Sequence, residues 1–241
     1  MTLGAGVTSL ERAAFYETKI GPTFSVPDTV TSLGQALFMY CKSLESVYLG
    51  KGIITIPDNT DNQLPIFAGC ENLSSVEINM PTIVGQTFTS SKNMNNILST
   101  NRAWPHDVEY IIGNDVTRIG EYAFYGTPSH VKSITIGTGV TNIRQSAFKD
   151  SKITSLNIPN NVTTLGANLC YDCTSLQSVT ISNGISVIPG YCFSGCTNLS
   201  NITYNGTMDQ WTALNKLVEW RTDVPATVVH CTDGDISIYT P

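Results

Sequence analysis

The chain repeats one pattern of apolar and polar positions about every 23 residues. The consensus is V-T-x-I-G-x-x-A-F-x-x-C-x-x-L-x-S-V-x-I, with clear copies at 30–49, 140–158 and 162–181. One position, here called the aromatic site, marks the successive copies as follows: Phe15, Phe38, Phe67, Phe88, Phe124, Phe148, Cys170 (where cysteine replaces the ring) and Phe193. This recurrence predicts a solenoid of about eight repeats in which each unit packs mainly on its neighbours.

The last residues of each copy alternate between apolar and polar, as in S-V-T-I at 178–181 and S-L-N-I at 155–158. A period of two is typical of a half-buried strand, and Gly137 or Pro159 turns the chain afterwards. We predict an α/β-type, predominantly β solenoid, a right-handed superhelix with one parallel sheet face and short second strands or turns. The aromatic sites should stack into a buried ladder.

The repeated V-T-x-I-G-x-x-A-F-x-x-C-x-x-L-x-S-V-x-I-P pattern resembles the BspA-like, or treponemal-type, family of leucine-rich repeats over about residues 7–204. The resemblance implies a bacterial cell-surface or secreted protein that binds other proteins, often host matrix or plasma components. The segment Met1–Leu10 lacks the basic and apolar regions of a signal peptide, and a repeat begins at Val7. We therefore expect a segment of a longer protein that is extracellular or on the cell surface.

Charge narrows the range of partners. The chain carries 13 Lys plus Arg against 19 Asp plus Glu, a net charge of -6, without the basic cluster that phosphate binding needs. No apolar run approaches the roughly 20 residues that span a bilayer. We expect neither a nucleic-acid partner nor membrane insertion, and the sequence leaves the oligomeric state open.

The motifs that could carry chemistry are explained by the repeat. Cys170-x2-Cys173 and Cys192-x3-Cys196 resemble zinc spacing, but these cysteines occupy repeat positions at or near the aromatic site. Adjacent repeats are close enough for Cys173–Cys196 or Cys41–Cys70 disulfides. An odd total of seven favours free, buried thiols. The histidines lie apart and outside any nucleophile motif, so we predict no enzyme, no catalytic residue, no metal and no cofactor.

Two insertions interrupt the period, near 58–63 and 92–106. The second contains Arg102, Trp104 and His106, and insertions in a solenoid project as loops. These side chains are candidates for a recognition knob, since Trp and Arg often dominate interfaces. In the alternative interpretation, Trp104 folds back over the solenoid and covers apolar repeats.

The repeat ends near residue 205, and residues 206–241 form a predicted C-terminal cap on the repeat domain 1–205. Thr207 and Gln210 fit a capping box, which predicts a short helix through Trp211, Leu214 and Leu217. The segments 227–231 and 236–239 flank a turn and predict a terminal hairpin.

Strand residues that point away from the core form a column along the sheet, a surface that repeat proteins often use for binding. The predicted column runs Ser25, Tyr48, Glu77, Ile111, Thr135, Asn157, Thr180 and Thr203. Tyr48, Glu77 and Ile111 are the candidate binding residues, because the later members are small and polar.

Three functions follow, in order of preference. The first is a non-enzymatic, adhesin-like module with a host or neighbouring-cell protein ligand, such as an extracellular-matrix or plasma protein. The second is a structural spacer or stalk without its own ligand. The third is a carbohydrate-binding module, which would need several exposed aromatic rings on one face, whereas the column offers only Tyr48.

Overall fold

A computed structural model describes residues 2–54, 66–80, 82–83, 107–127, 131 and 133–238 of the chain. It shows a predominantly β solenoid of about eight turns, here called rungs, with a parallel sheet. The predicted fold class is thus confirmed. Both insertions, at 58–63 and 92–106, and the aromatic site Phe88 lie outside the described residues.

The first side of the solenoid is a ten-stranded sheet, here called the main sheet. Its strands are, in spatial order, β2 (Thr23–Val26), β4 (Ser46–Leu49), β5 (Ser75–Ile78), β7 (Glu109–Ile112), β9 (Ser133–Ile136), β11 (Ser155–Asn157), β13 (Ser178–Ile181), β15 (Asn201–Tyr204), β17 (Val228–Cys231) and β18 (Gly234–Ser237). Neighbours pair in parallel except β17 and β18, which form an antiparallel hairpin. The second and fourth residues of a typical strand are buried and the first and third are not, as the alternating pattern predicts.

The second side consists of two-residue strands, eight of them within the described residues. They are β1 (Ser9–Leu10), β3 (Ser32–Leu33), β6 (Thr82–Ile83), β8 (Arg118–Ile119), β10 (Asn142–Ile143), β12 (Thr164–Leu165), β14 (Val187–Ile188) and β16 (Asn215–Lys216). Strands β6, β8, β10 and β12 form one parallel sheet, and β1–β3 and β14–β16 form parallel pairs. The glycine after a short strand permits close stacking, because a Cβ at Gly34 or Gly166 would collide with the backbone of the preceding rung.

The third side is built from turn segments, the five residues centred on each aromatic site. The first, third and fifth residues donate their N–H groups to carbonyls of the following rung: Ser146 to Ala167, Phe148 to Leu169 and Asp150 to Tyr171, each at 2.9 Å. The first and last residues of the segments adopt positive φ values, for example 56° at Ser146 and 58° at Asp150. This left-handed conformation turns alternate peptide groups along the solenoid axis and provides a third ladder of backbone hydrogen bonds.

Aromatic rings form the centre of the core. The ring of Phe38 stacks between those of Phe15 and Phe67, with centroids 5.3 and 5.5 Å away and planes within 6° of parallel. Phe124 and Phe148 stack in the same way at 5.3 Å. Since full burial of such a side chain contributes about 1.5–3 kcal/mol, this ladder is a main source of cohesion between rungs.

A column of thiols and hydroxyls follows the aromatic sites by three residues. Each of its cysteines donates its thiol to the carbonyl of the preceding rung's aromatic site: Cys41 to Phe15 at 2.8 Å, Cys70 to Phe38 at 2.9 Å, Cys173 to Phe148 at 2.9 Å and Cys196 to Cys170 at 3.0 Å. Thr18 and Thr127 occupy the same position, and each donates its hydroxyl to the carbonyl of its own rung's aromatic site, Phe15 or Phe124. These thiols are buried and unbridged, and hydrogen bonding explains their spacing.

The C-terminal cap contains the predicted capping box and hairpin. Helix α1 (Met208–Ala213) begins with reciprocal Thr207 and Gln210 hydrogen bonds of 3.2 and 2.9 Å. The prediction that this helix runs through Leu217 is wrong. The chain leaves the helix at Leu214 because the next residues form β16, which pairs with β14 of the preceding rung.

Candidate protein-binding face

The outward column of the main sheet has the predicted register. Strand pairing places Ser25, Tyr48, Glu77, Ile111 and Thr135 side by side, and likewise Asn157, Thr180 and Thr203. Tyr48, Glu77 and Ile111 come from consecutive strands β4, β5 and β7 and are each half-buried. Adjacent strands lie about 4.8 Å apart, so an aromatic, an acidic and an aliphatic side chain form one continuous strip, here called the mixed strip.

Carboxylates surround the aromatic end of the mixed strip. Partial burial, followed by the nearby carboxylates of Asp28, Glu77 and Asp115, raises the pKa of the Tyr48 hydroxyl. Asp28 also pairs with Lys51 at 3.6 Å, and both groups are exposed. The phenol therefore stays protonated and presents a hydrogen-bond donor in an acidic environment.

A buried amide orients the acidic member of the strip. Asn79 is only 4% exposed and donates its Nδ2 to Oε1 of Glu77 at 3.1 Å. Thr135, the next member of the same column, donates its hydroxyl to Oε1 of Glu109 in the neighbouring outward column at 3.2 Å. The carboxylates of this half of the sheet are thus positioned by local hydrogen bonds while they keep acceptor capacity for a partner.

The other candidate residues, Arg102, Trp104 and His106, lie outside the described residues. Their role as a recognition knob or as a cover over the solenoid stays a prediction. The three candidates that lie within the described residues, Tyr48, Glu77 and Ile111, are brought together by the structure.

Residues 1–103 and 107–213 match the family model described as BspA type leucine-rich repeat region (6 copies). The chain belongs to the BspA-type leucine-rich repeat family. The matched residues include every rung that carries the mixed strip. A comparison with functionally curated proteins returned no match for this BspA-type chain.

Solved bacterial leucine-rich repeat proteins are similar to the BspA-type chain at low identity. A leucine-rich repeat protein of T. pallidum is 17% identical, with 93% of this chain and 67% of that protein covered and a TM-score of 0.34. One from Eubacterium ventriosum is 19% identical, with 99% and 84% covered and a TM-score of 0.38. A leucine-rich cell surface protein of Faecalibacterium prausnitzii is 18% identical, with 89% and 88% covered and a TM-score of 0.29.

Sequence reasoning missed the end of the outward column of this BspA-type protein. The pairing of Thr203 with His230 extends the column into the cap, where His230 Nδ1 lies 2.8 Å from Oδ1 of Asp235 across the hairpin. The parallel pairing of β17 with β15 places His230 in the column. The sequence analysis assigned the hairpin to a separate cap and therefore did not extend the column to it.

Two further findings concern the part of the BspA-type chain that the structure describes. No helix there is long and apolar enough to cross a membrane. No group of three or more His, Cys, Asp or Glu side chains there is arranged to hold a metal ion.

Sequence reasoning also missed a group of tyrosines in this BspA-type protein. Several tyrosines lie on the turn segments, at two different repeat positions, so a consensus centred on the strands conceals them. Aligning the residues two before and one after each aromatic site would have revealed this group.

Proposed function

We propose that the chain is a protein-binding module of a bacterial cell-surface or secreted protein, and that the mixed strip is its contact face. The observation that carries the proposal is the contrast within one column. Tyr48, Glu77 and Ile111 offer an aromatic ring, a positioned carboxylate and an aliphatic side chain, whereas the column beyond them holds Thr and Asn. Interfaces concentrate their binding energy in a few such anchors.

The charges around the strip favour a basic partner surface. The carboxylates of Asp28, Glu77 and Asp115 each raise the pKa of the Tyr48 hydroxyl. The whole chain has a net charge of -6. Complementary charge chiefly accelerates encounter and sets specificity. A partner with Lys or Arg around an apolar centre therefore fits this face best.

The test is a binding screen of the purified chain against immobilised extracellular-matrix and plasma proteins. The variants are Tyr48→Ala and Ile111→Ala, and the matched control is Thr180→Ala, which truncates the same column in its polar half. Loss of an interface anchor of this kind costs about 2 kcal/mol, roughly thirtyfold in affinity. Binding by wild type and the control, weakened at that level by Tyr48→Ala and Ile111→Ala, supports the proposal.

Two outcomes would contradict it. Equal affinities for Tyr48→Ala and Thr180→Ala would move the contact away from the mixed strip, and a Trp104→Ala variant would then test the second insertion. The absence of saturable binding to any protein would favour a structural spacer, for which the polar column of Thr135, Asn157, Thr180 and Thr203 is the supporting observation.

A further inference from the structure

Half-buried and exposed tyrosines cluster on the turn side of the solenoid, away from the main sheet. Tyr122 and Tyr125 flank the aromatic site Phe124, and their rings meet edge to face with centroids 6.0 Å apart. Two and three rungs further on, Tyr171 and Tyr191 meet in the same way at 6.3 Å. These four aromatic rings thus lie on three of four consecutive rungs, and Tyr191 is the most exposed of them.

A groove of about 330 Å³ joins these two pairs. It is lined by Tyr122, Ser146, Lys149, Asn168, Tyr171 and Tyr191. Tyr122, Ser146, Asn168 and Tyr191 are the first residues of four successive turn segments, so small polar side chains separate two tyrosines. With rungs about 4.8 Å apart, the line from Tyr122 to Tyr191 covers about 14 Å, which suits an extended ligand.

The tyrosines at the two ends of the groove have a backbone conformation that is unfavourable for bulky residues. Tyr122 and Tyr191 have φ values of 55° and 56°, in the left-handed region that bulky residues rarely adopt. Asn168, at 55°, is a residue type that tolerates this conformation. Ala13, Ala36 and Ser146 adopt the same conformation at the same repeat position, so the turn itself does not require a large ring there.

The groove itself offers a hydrogen-bond acceptor in the amide oxygen of Asn168. Outside its lining, the carboxylates of Asp150 and Glu219 raise the pKa of the Tyr125 and Tyr191 hydroxyls by hydrogen bonding. Tyr191 therefore stays protonated, and a ligand that supplies donors to Asn168 fits the groove.

The cation that lines the groove, Lys149, already contacts a tyrosine ring. Nζ of Lys149 lies 4.7 Å from the centroid of the Tyr171 ring, a cation–π contact. On the same side of the solenoid, Asp150, Asp172 and Glu219 outnumber the two cations, Lys149 and Arg221. The local balance is unfavourable for sulfated or carboxylated ligands.

From this arrangement we infer that the turn-side groove binds a neutral oligosaccharide. Sugar rings present apolar C–H faces that pack on aromatic rings, and their hydroxyls can donate to an amide oxygen such as that of Asn168, which lines the groove. A proline-rich peptide also packs on aromatic grooves, but proline has no N–H to donate. The groove is separate from the mixed strip, so this binding would be additional to protein capture.

The test is a titration of the chain, labelled with ¹³C in its tyrosine rings, with cellopentaose, maltopentaose, chitopentaose and mannopentaose, followed by NMR. At least one sugar should shift the Tyr171 and Tyr191 resonances saturably. Tyr191→Ala should weaken that binding at least tenfold. Asn168→Gly removes the amide while it tolerates the left-handed backbone, and it should weaken binding severalfold.

Tyr16→Ala is the matched control. Tyr16 is 41% exposed against 39% for Tyr191, lies on the turn side, and meets Tyr40 edge to face at 5.8 Å. It should bind the sugar within twofold of wild type. Equal weakening by Tyr16→Ala and Tyr191→Ala, or no saturable shift with any pentasaccharide, would overturn the inference, as would a proline-rich peptide that alone shifts these tyrosines.

The two proposals fail separately. Tyr48→Ala should leave the sugar titration unchanged, and Tyr191→Ala should leave capture of a protein ligand unchanged. Loss of sugar binding in Tyr48→Ala would instead contradict a groove that acts independently of the mixed strip.

Discussion

Replacement of Phe38 by alanine should uncouple the N-terminal rungs from the rest of the solenoid. The ring is fully buried and contacts three others: Phe15 and Phe67 stack on its two faces, and Phe24 lies at 5.3 Å with an interplanar angle of 65°. The substitution therefore opens a cavity in the ladder and also removes three ring–ring contacts.

The expected loss is about 3–5 kcal/mol for Phe→Ala in a core, of which each aromatic pair accounts for about 0.5–1.5 kcal/mol beyond buried area. The total free energy of unfolding of a natural domain is only about 5–15 kcal/mol. Because each rung contacts mainly its neighbours, the loss should be concentrated at one interface. Strands β1 to β4 should then open at lower free energy than the rungs after Phe124.

The assay combines urea unfolding with hydrogen exchange measured by peptide mass spectrometry. Exchange protection should fall in residues 9–49 and persist in residues 133–204. Phe38→Leu, which keeps most of the apolar volume, should cost clearly less. A loss below about 1.5 kcal/mol, well under the usual range for a buried phenylalanine, would refute the reasoning, as would equal loss of protection in every rung.

Three further outcomes are expected. In the native protein, a thiol reagent should label Cys231 alone, because the other six thiols are buried; all seven should react in denaturant, and a shortfall there would indicate disulfides. Burial raises the pKa of Cys70 to about 12 and that of Cys192 further, so these thiols ionise first in the unfolded chain. The free energy of unfolding should be constant below about pH 9 and should then fall by about 1.4 kcal/mol per pH unit for each thiol. Urea unfolding at several pH values from about 7 to about 10.5 measures this profile. A free energy of unfolding that does not change with pH would contradict buried thiols. Thr207→Ala should cost about 1 kcal/mol and Thr207→Ser much less, measured by urea unfolding, and equal costs would argue against the cap.

The strands and the core followed from local sequence because their signal recurs. A polar residue at position 48 or 77 between two apolar ones determines which side chain faces outward, and eight copies in register make the stacking direction unambiguous. Tyr48, Glu77 and Ile111 could therefore be placed side by side from spacing alone.

Features that depend on contacts between distant segments could not be predicted in this way. Helix α1 ends at Ala213 because Asn215 and Lys216 pair with β14, and no helix propensity encodes that partner. The tyrosine groove was missed for a related reason. Tyr122, Tyr171 and Tyr191 are far apart in the chain and line one groove only because the turn segments stack through their own ladder of backbone hydrogen bonds.

The inter-rung hydrogen bonds of the turn segments all run in one direction. In the rung centred on Phe148, three peptide groups point their N–H toward the following rung and their carbonyl toward the preceding one. Such dipoles add along the axis, with the opposite sense to an α-helix, whose N–H groups point to its N-terminus. The turn side therefore carries a row of dipoles whose positive end faces the C-terminal rungs. On the short-strand side the N–H groups point the other way, as from Arg144 to Ile119 and from Gly166 to Ile143 of the preceding rung, so the two sides of the solenoid are opposed in polarity.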